Sequence, residues 1–361
     1  MNPAAKRRIL VTGLDTFWGG RVAQALEAKP EVEVVLGLGT GSPSVALERT
    51  EYVRTDQAYS SLSRIVRAAR VDTIVHTFLI VDSTSTNSRS LHELNVIGTM
   101  NLLAAAGSAN TPVRQVIVKS STMVYGCSSR DPAFFTEEMD ATTRPKTRIE
   151  RSLRDVEALL RDFADDNPST VVTLLRFANV LGEEISTPIT RSLARAFAPS
   201  ILGFDPLLQF IQESDVVRCL ELVTMHQRPG IFNVAGRGRL PWSEVAATVG
   251  AKLLPLPPLG TRLAAKPLVK AGLIDFPPEL ECLLRFGRGV DTTRIENAGF
   301  EHHFTSARAV DSFARATRLK RAVGSTKRSY TYEADVEAFF RHSPTVVNKD
   351  RATTDDEVKA T

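Results

Sequence analysis

The sequence predicts an α/β fold in which helices cover both faces of a doubly wound parallel sheet, followed by a smaller C-terminal lobe. Short apolar runs rich in Val, Ile and Leu lack strict polar alternation, which is typical of strands buried on both faces. Segments with a helical spacing of apolar residues separate these runs, as in successive strand–helix–strand units. After residue 180 several prolines divide the chain into shorter pieces, which indicates a different architecture.

Apolar runs and helical segments alternate through the first 180 residues. Right-handed crossovers between such runs give a Rossmann-like sheet. The predicted strands are 8–13, 32–39, 51–56, 72–78, 114–121 and 170–179, and the predicted helices are 18–28, 59–70, 88–108 and 149–165.

Three regions follow from these patterns. Residues 1–180 form the larger domain, and residues 181–342 form a smaller mixed lobe. The run IFNVAG at 231–236 predicts one more strand, which we expect to return to the main sheet. The segment 343–361 is polar and charged, a composition that predicts a disordered tail.

Composition and charge exclude several classes of protein. The 361 residues are 43% hydrophobic and 24% charged, and the net charge of +4 is not concentrated enough to indicate nucleic-acid binding. Three scattered cysteines argue against a disulfide framework or a thiolate metal site, and we expect no metal. No apolar run reaches the roughly 18–20 residues that span a bilayer, and no signal segment precedes the first strand, so we expect a cytoplasmic protein without membrane insertion.

The stretch VTGLDTFWGG at 11–20 is typical of a strand that enters a glycine loop and then a helix. In dinucleotide-binding loops the first glycine makes a tight turn, the middle one admits the pyrophosphate, and the third lets the helix approach the strand. Gly13 and Gly19 match the outer two positions, whereas Thr16 occupies the middle one. The Thr16 hydroxyl is a possible phosphate donor. The alternative is that both glycines serve only the turn and the helix packing.

Several motifs occur together in one order along the chain. They are VTG at 11–13, DTIVHTF at 72–78, ELNVIGTMNLLAAA at 93–106, SSTMVYG at 120–126, LLRFANVLG at 174–182, FIQESDVVRCLEL at 210–222 and FNVAG at 232–236. In this order the chain resembles the extended short-chain dehydrogenase/reductases of the NAD-dependent epimerase/dehydratase family over residues 7–310. Within that family it is most similar to actinobacterial proteins described as UDP-glucose 4-epimerase-like.

The resemblance implies a cofactor, NAD or NADP. Gly39 stands at the end of the second strand, where NAD-type folds carry an acid for the ribose hydroxyls, and no arginine follows at once for a 2′-phosphate. The choice between the two cofactors therefore stays open, with NAD slightly favoured. Asp56 matches a contact to the adenine amine, although a helix N-cap is an equal alternative. The implied cofactor-binding residues are Gly13, Thr16, Phe17, Trp18, Gly19, Asp56, His76 and Asn95.

The resemblance also implies a catalytic Ser or Thr, followed by a Tyr and a Lys in a YxxxK helix. Counting back from Glu157, which matches the family's glutamate, puts Ile149 at the tyrosine and Leu153 at the lysine. Neither side chain carries a proton, and no tyrosine lies between residues 126 and 329. Ser121 matches the catalytic Ser/Thr, and Tyr125 in VYG is the candidate stand-in acid/base.

Substrate-side positions are retained better. Asn179 matches a residue that bonds the diphosphate of nucleotide-sugar ligands, and Arg288 matches an arginine that grips the same phosphates. The alternatives are a turn asparagine and a surface arginine. Glu137 and Asp215 also match family positions, and we expect structural roles for both. The resemblance further implies a homodimer that pairs through the helices at 88–108 and 149–165.

Two functional hypotheses stay open from the sequence. The first is an NAD(P)-dependent epimerase, dehydratase or oxidoreductase for a nucleotide sugar or similar hydroxyl metabolite, with an atypical proton carrier or with lost chemistry. The second is a non-catalytic dinucleotide-binding sensor or scaffold, favoured by the joint loss of Tyr and Lys. A platform for interactions alone follows if the cofactor site is also lost.

Overall fold

The structure, a computed structural model, describes residues 6–55, 58–82, 91–132 and 134–323. The predictions for Asp56 and for the tail at 343–361 lie outside the described residues, as do residues 88–90 of the third predicted helix. A compact unit that contains the sheet extends to Thr317, and a second unit begins at Arg318.

Each predicted apolar run forms a strand within a few residues of its predicted bounds, and the structure adds short strands after residue 180 that were not predicted. They are β1 Arg7–Thr12, β2 Val32–Gly39, β3 Thr50–Arg54, β4 Thr73–His76, β5 Gln115–Ser121, β6 Val171–Phe177, β7 Asn179–Leu181, β8 Phe197–Ile201, β9 Leu207–Leu208, β10 Phe210–Gln212, β11 Gly230–Val234, β12 Leu240–Pro241 and β13 Lys252–Leu256.

The main sheet contains seven parallel strands within the described residues, in the order β11-β6-β5-β4-β1-β2-β3. The doubly wound α/β fold class is therefore confirmed. The order reverses between β1 and β4, and in open α/β sheets ligands bind outside the carboxyl ends of the strands at such a point. The last strand of the sheet, β11, pairs with β6 from Gly230 to Val234.

The described residues form helices over both faces of this sheet and further helices that pack in separate cores after residue 180. They are α1 Phe17–Glu27, α2 Tyr59–Ala68, a π-helical turn Glu93–Ile97, α3 Gly98–Ala106, α4 Arg148–Asp166, α5 Pro188–Ala194, α6 Glu213–Met225, α7 Trp242–Val249, α8 Thr261–Lys270, α9 Pro278–Phe286, α10 Thr293–Asn297 and α11 Ser306–Val323. Among the described residues, no helix combines the length and the apolar character that crossing a membrane requires.

The two faces of the sheet have separate hydrophobic cores. On one face, residues of α2, α3 and α4 pack against alternate positions of the strands, such as Leu10, Ile74 and Val118. On the other face, α1 and α6 pack against the intervening positions, such as Ile9, Val75 and Ile117. This alternation is the period-2 pattern of a strand covered on both sides.

The run predicted as a single strand at 170–179 divides into β6 and β7 at Ala178. The Ala178 amide donates a hydrogen bond of 3.0 Å to the Val234 carbonyl at the end of β11. Beyond this residue the chain leaves the main sheet, and β7 pairs with β10. The division places Asn179 just past the carboxyl edge of the sheet.

Candidate functional site

A crevice opens beside the carboxyl ends of β5 and β6, and its cavity measures about 80 Å³. Its walls include Trp18 from α1, Lys119 and Ser121 from β5, Asn179 from β7 and Arg288. Residues from α5 and α9 line the other side. The fold thus brings Trp18, Ser121, Asn179 and Arg288, four residues predicted from sequence, into one cavity.

The glycine loop before α1 requires both of its outer glycines. Gly13 has a φ of +72°, and a Cβ there would lie 2.8 Å from Cβ of Phe78. A Cβ on Gly19 would lie 2.1 Å from the Gly13 carbonyl oxygen. The positive φ and the close approach of helix to loop therefore exclude larger side chains at both positions.

Thr16 closes the loop from within as the N-cap of α1. Its hydroxyl donates to the Gly13 carbonyl at 2.7 Å and accepts from the Gly19 amide at 3.3 Å. The hydroxyl proton is thus used inside the loop. Within the described residues the amides of Phe17 and Trp18 make no hydrogen bond. These first-turn donors suit an anionic group such as a phosphate, and the loop fits a dinucleotide pyrophosphate there.

The side chain of Asp15, from the glycine loop, places a carboxylate beside Gly39 at the end of β2. Its Oδ2 accepts from the Thr40 amide at 3.1 Å, the Thr40 hydroxyl at 2.9 Å and the Gly41 amide at 2.8 Å. Oδ1 is buried without a hydrogen bond in the described part of the chain, and a Cβ on Gly39 would lie 3.0 Å from it. Sequence reasoning missed Asp15, although an acid inside a glycine loop was the available signal.

His76 joins β1 and β4 to the helical layer beneath the crevice. Thr99 donates to the Asn95 carbonyl at 2.5 Å, so it accepts from Nε2 of His76 at 3.0 Å. Nδ1 then accepts from the Thr12 hydroxyl at 2.7 Å. Burial lowers the pKa of His76 to about 4, so this imidazole is neutral at physiological pH. His76 does not line the crevice.

Asn95, on the π-helical turn, is fully buried and bonds the loop after β4. Its Oδ1 accepts from the Ile80 amide at 2.8 Å, and its Nδ2 donates to the Ile80 carbonyl at 2.9 Å and to the Ser152 hydroxyl at 3.1 Å. The side chain therefore ties the loop to α4. It does not line the crevice either.

Ile149 and Leu153 are fully buried in the core cluster that also contains Val124 and Tyr125. One turn farther along α4, Glu157 forms a buried ion pair with Arg176, with Nη2 2.6 Å from Oε2. This side of α4 therefore faces β5 and β6. Neither Ile149 nor Leu153 lines the crevice, and neither carries a transferable proton.

Tyr125 lies in the same core, 1% exposed. Its hydroxyl donates to Oδ1 of Asn233 at 2.8 Å and accepts from Arg176 at 2.7 Å, and its ring stacks on Phe135 with centroids 4.4 Å apart. Burial is the largest influence on the phenol and raises its pKa. The fold does not bring Tyr125 into the crevice lining with Ser121.

Asn179 and Arg288 both line the crevice. Nδ2 of Asn179 donates to the Gln209 carbonyl at 3.0 Å. Nη1 of Arg288 donates to the Gly126 carbonyl at 3.0 Å, while its Nε is buried without a partner in the described ranges. A guanidinium with an unused donor next to a cavity suits a phosphate group.

Glu137 and Asp215 make contacts within the fold. Oε1 of Glu137 accepts from the Asn233 amide at 2.8 Å, and burial raises the pKa of this carboxyl. Asp215 is fully buried and accepts from the amides of His303 and Phe304 at 3.1 Å and 3.0 Å. Both carboxylates therefore position segments of backbone.

Lys119 is the crevice residue that sequence reasoning missed. It is 4% exposed, and its Nζ lies 4.8 Å from the ring centroid of Trp18 and 5.9 Å from that of Phe177. Burial lowers the pKa of this ammonium to about 8. The available signal was a lysine inside the apolar run VIVKSS, two positions before Ser121 and therefore on the same face of the strand.

Comparisons with known proteins give the chain relatives along most of its length. The profile of the NAD dependent epimerase/dehydratase family matches residues 9–235. An uncharacterized protein of Mycobacterium tuberculosis is 32% identical over 325 residues, which cover 88% of this chain and 86% of that protein. A UDP-glucose 4-epimerase of Erwinia amylovora is 28% identical over 186 residues, covering 48% of this chain and 53% of that enzyme.

Solved structures share the fold at low sequence identity. The UDP-glucose 4-epimerase of Thermotoga maritima, solved with UDP-glucose, matches with a TM-score of 0.65 and 17% identity over 87% of this chain and 99% of that one. WbmG of Bordetella bronchiseptica, solved with NAD and UDP, matches with a TM-score of 0.65 and 18% identity over 88% of this chain and 96% of that one.

Proposed function

Because the chain belongs to the NAD-dependent epimerase/dehydratase family, as its motifs predict, we propose that it binds a nicotinamide dinucleotide together with a nucleotide-diphosphate ligand such as a nucleotide sugar. Any redox chemistry there proceeds without the family's Tyr–Lys pair. The observation that carries the proposal is the crevice shared by Ser121, Asn179 and Arg288, from which Ile149 and Leu153 are absent.

The dinucleotide half of the proposal rests on the loop before α1. The amides of Phe17 and Trp18, which are unbonded in the described part of the chain, would hold the pyrophosphate, with Gly13 allowing the chain to turn. Oδ1 of Asp15, buried and unbonded in the described residues, would accept a hydrogen bond from the adenosine ribose in place of an acid on β2. The same negative charge would repel a 2′-phosphate, so we infer that NAD is preferred over NADP. When bound, the nicotinamide supplies a two-electron hydride acceptor.

The ligand half rests on Arg288 and Asn179. The buried Nε of Arg288 has no partner among the described residues, and an anionic diphosphate would satisfy it. The Asn179 carboxamide lies in the same lining and would add a neutral contact. UDP-glucose and NAD are the natural probes, since the Thermotoga and Bordetella structures hold UDP-glucose, and NAD with UDP.

Isothermal titration calorimetry of the purified chain tests this proposal. We expect NAD to bind more tightly than NADP, and Asp15→Ala to weaken NAD binding by about tenfold, as loss of one charge-assisted hydrogen bond does. Glu33→Ala, which removes an exposed carboxylate paired with Arg8, is the matched control and should leave NAD affinity unchanged.

Arg288→Met should weaken UDP-glucose binding by at least about tenfold and leave NAD binding intact. Arg237→Met, which removes an exposed arginine paired with Glu296, is its control. Absence of binding of both NAD and NADP at millimolar concentration would overturn the proposal. Binding of both ligands without any hydride transfer would favour the alternative, a non-catalytic sensor or scaffold, which the burial of Ile149 and Leu153 supports.

We also infer a homodimer that pairs through α3 and α4. Ile97 and Met100 support it, because these large apolar side chains are exposed one helical turn apart, at the start of this helical segment. Sedimentation velocity should show a dimer for the wild type and a monomer for the Met100→Glu variant. A monomeric wild type would contradict this inference.

A further inference from the structure

Strand β5 presents its last residues to two different environments. The Ser120 hydroxyl donates to Oε1 of Glu157 at 2.9 Å, on the α4 side of the sheet. Lys119, Ser120 and Ser121 all contribute to the crevice lining, and Lys119 and Ser121, two positions apart, share one face of the strand. The alternation of a strand therefore puts an amine and a hydroxyl on one wall of the cavity.

The amine of Lys119 lies among aromatic groups. Trp18 and Phe177 surround Nζ, and within the described part of the chain Lys119 makes no hydrogen bond or ion pair. A buried ammonium without a carboxylate partner is costly, so the balance moves toward the neutral amine. Lys119 lines the crevice, which offers polar space to this nitrogen.

Burial alone accounts for the lowered pKa of Lys119, with no contribution from a nearby charge. Besides Lys119, the charged side chains of the crevice lining are Glu279 and Arg288. The strands on either side of β5 carry His76 on β4 and Arg176 on β6. His76 is neutral and bonded to Thr12 and Thr99, and Arg176 is paired with Glu157.

We propose that Lys119 is the proton carrier of this crevice, in place of the family's tyrosine, whose position Ile149 occupies. The proposal rests on the proposed function, because it needs NAD and a hydroxyl-bearing ligand in the crevice. The neutral amine takes the proton of a ligand hydroxyl, so the O–H bond breaks and an N–H bond forms. With NAD bound, the carbinol carbon would lose its hydride to the oxidised nicotinamide and become a carbonyl, and the nicotinamide would be reduced.

Ser121 and Trp18 complete this arrangement. The Ser121 hydroxyl lines the same wall and is positioned to bond the oxygen that loses its proton. The ring of Trp18 covers the ammonium that results from the transfer, at the distance of a cation–π contact. In the reverse direction the ammonium returns its proton to the carbonyl oxygen, so the same amine serves both halves of an epimerisation.

Two readouts test the role of Lys119. The first is the appearance of reduced nicotinamide when the chain, loaded with NAD, is mixed with UDP-glucose or dTDP-glucose. The second needs no turnover: acylation of Lys119 by acetic anhydride is followed against pH by peptide mass spectrometry, with and without UDP-glucose. The variants are Lys119→Met and Lys119→Arg, and the control is Lys146→Met, a lysine outside the crevice lining.

We expect Lys119→Met and Lys119→Arg to lower the rate of hydride transfer by at least about a hundredfold, the usual contribution of a positioned acid–base group, with little change in NAD affinity. Lys146→Met should retain the wild-type rate. In the wild type, Lys119 should be acylated with an apparent pKa near its lowered value, and UDP-glucose should protect it.

Three results would overturn the role of Lys119. They are undiminished transfer in Lys119→Met, a Lys119 that UDP-glucose does not protect, and a wild type that binds NAD and both sugar nucleotides without reducing the nicotinamide. All three leave the proposed binding function intact. Failure to bind NAD or either sugar nucleotide instead overturns the proposed function itself, so the two failures are distinguishable.

Discussion

Replacing Lys119 by Met should stabilise the folded chain near neutral pH, and this gain should shrink as the pH rises. Burial lowers the pKa of the Lys119 ammonium from 10.5 to about 8, so the unfolded chain holds this proton more tightly than the folded chain. Each pH unit between these values corresponds to about 1.4 kcal/mol, which puts the cost of burying the charge at about 3 kcal/mol.

The sign of the pH dependence follows from proton binding. Between the folded and unfolded pKa values the unfolded wild type binds more protons, so its free energy of unfolding rises with pH, whereas Met does not titrate. The contact of the ammonium with Trp18 offsets the cost by about 0.5–2 kcal/mol. The variant should therefore be more stable by about 1–3 kcal/mol near pH 7, and this advantage should fall by about 2 kcal/mol by about pH 9.5.

Urea unfolding followed by circular dichroism at both pH values measures these differences. Lys146→Met is the matched control, because Lys146 is an exposed lysine whose Nζ donates to the Cys127 carbonyl at 3.0 Å. The control should show no such convergence with pH. A Lys119→Met variant that is less stable than the wild type near neutral pH, or a difference that stays constant with pH, would refute the description of Lys119 as a costly buried ammonium.

Three further changes test other parts of the structure. Tyr125→Phe should lower the free energy of unfolding by about 1–3 kcal/mol, because Asn233 and Arg176 lose a buried partner. The affinity for NAD, measured by calorimetry, should stay unchanged, and weaker NAD binding would contradict the core position of Tyr125. Glu157→Gln should lower the free energy of unfolding, measured in urea, by about 3–5 kcal/mol, since Arg176 is left as an unpaired buried charge. A loss below about 1 kcal/mol would contradict the importance of this buried ion pair. Cys282 should react with iodoacetamide at neutral pH before Cys219 does. The hydrogen bond with Cys127 and the cation of Lys146 lower the pKa of Cys282 to about 7, whereas burial raises the pKa of Cys219. Peptide mass spectrometry that finds Cys219 modified first would refute this assignment.

The fold was largely predictable because each buried strand carries its own apolar run. β2 spans Val32–Gly39, the range that the sequence predicts, and α4 spans Arg148–Asp166, within one residue of its predicted ends. The division of the run at 170–179 was not predictable. It depends on the hydrogen bond between Ala178 and Val234, which lie far apart along the chain.

The candidate site was predictable in part. Asn179 and Arg288 were identified through motifs, and they line one crevice with Ser121. Asp15 and Lys119 were missed because neither occupies a motif position, and their importance depends on burial and on missing partners. The orientation of the Tyr125 side chain could not be predicted either, since its hydroxyl is bonded by Asn233 and Arg176, which come from strands later in the chain.

A crystal structure of the chain soaked with NAD and UDP-glucose tests the central claim most directly. The account predicts a dinucleotide over Gly13 with its ribose at Asp15, a diphosphate on Arg288, and Nζ of Lys119 within hydrogen-bond distance of a sugar hydroxyl. An empty crevice, or a dinucleotide whose reactive ring faces another ionisable side chain instead of Lys119, would contradict it.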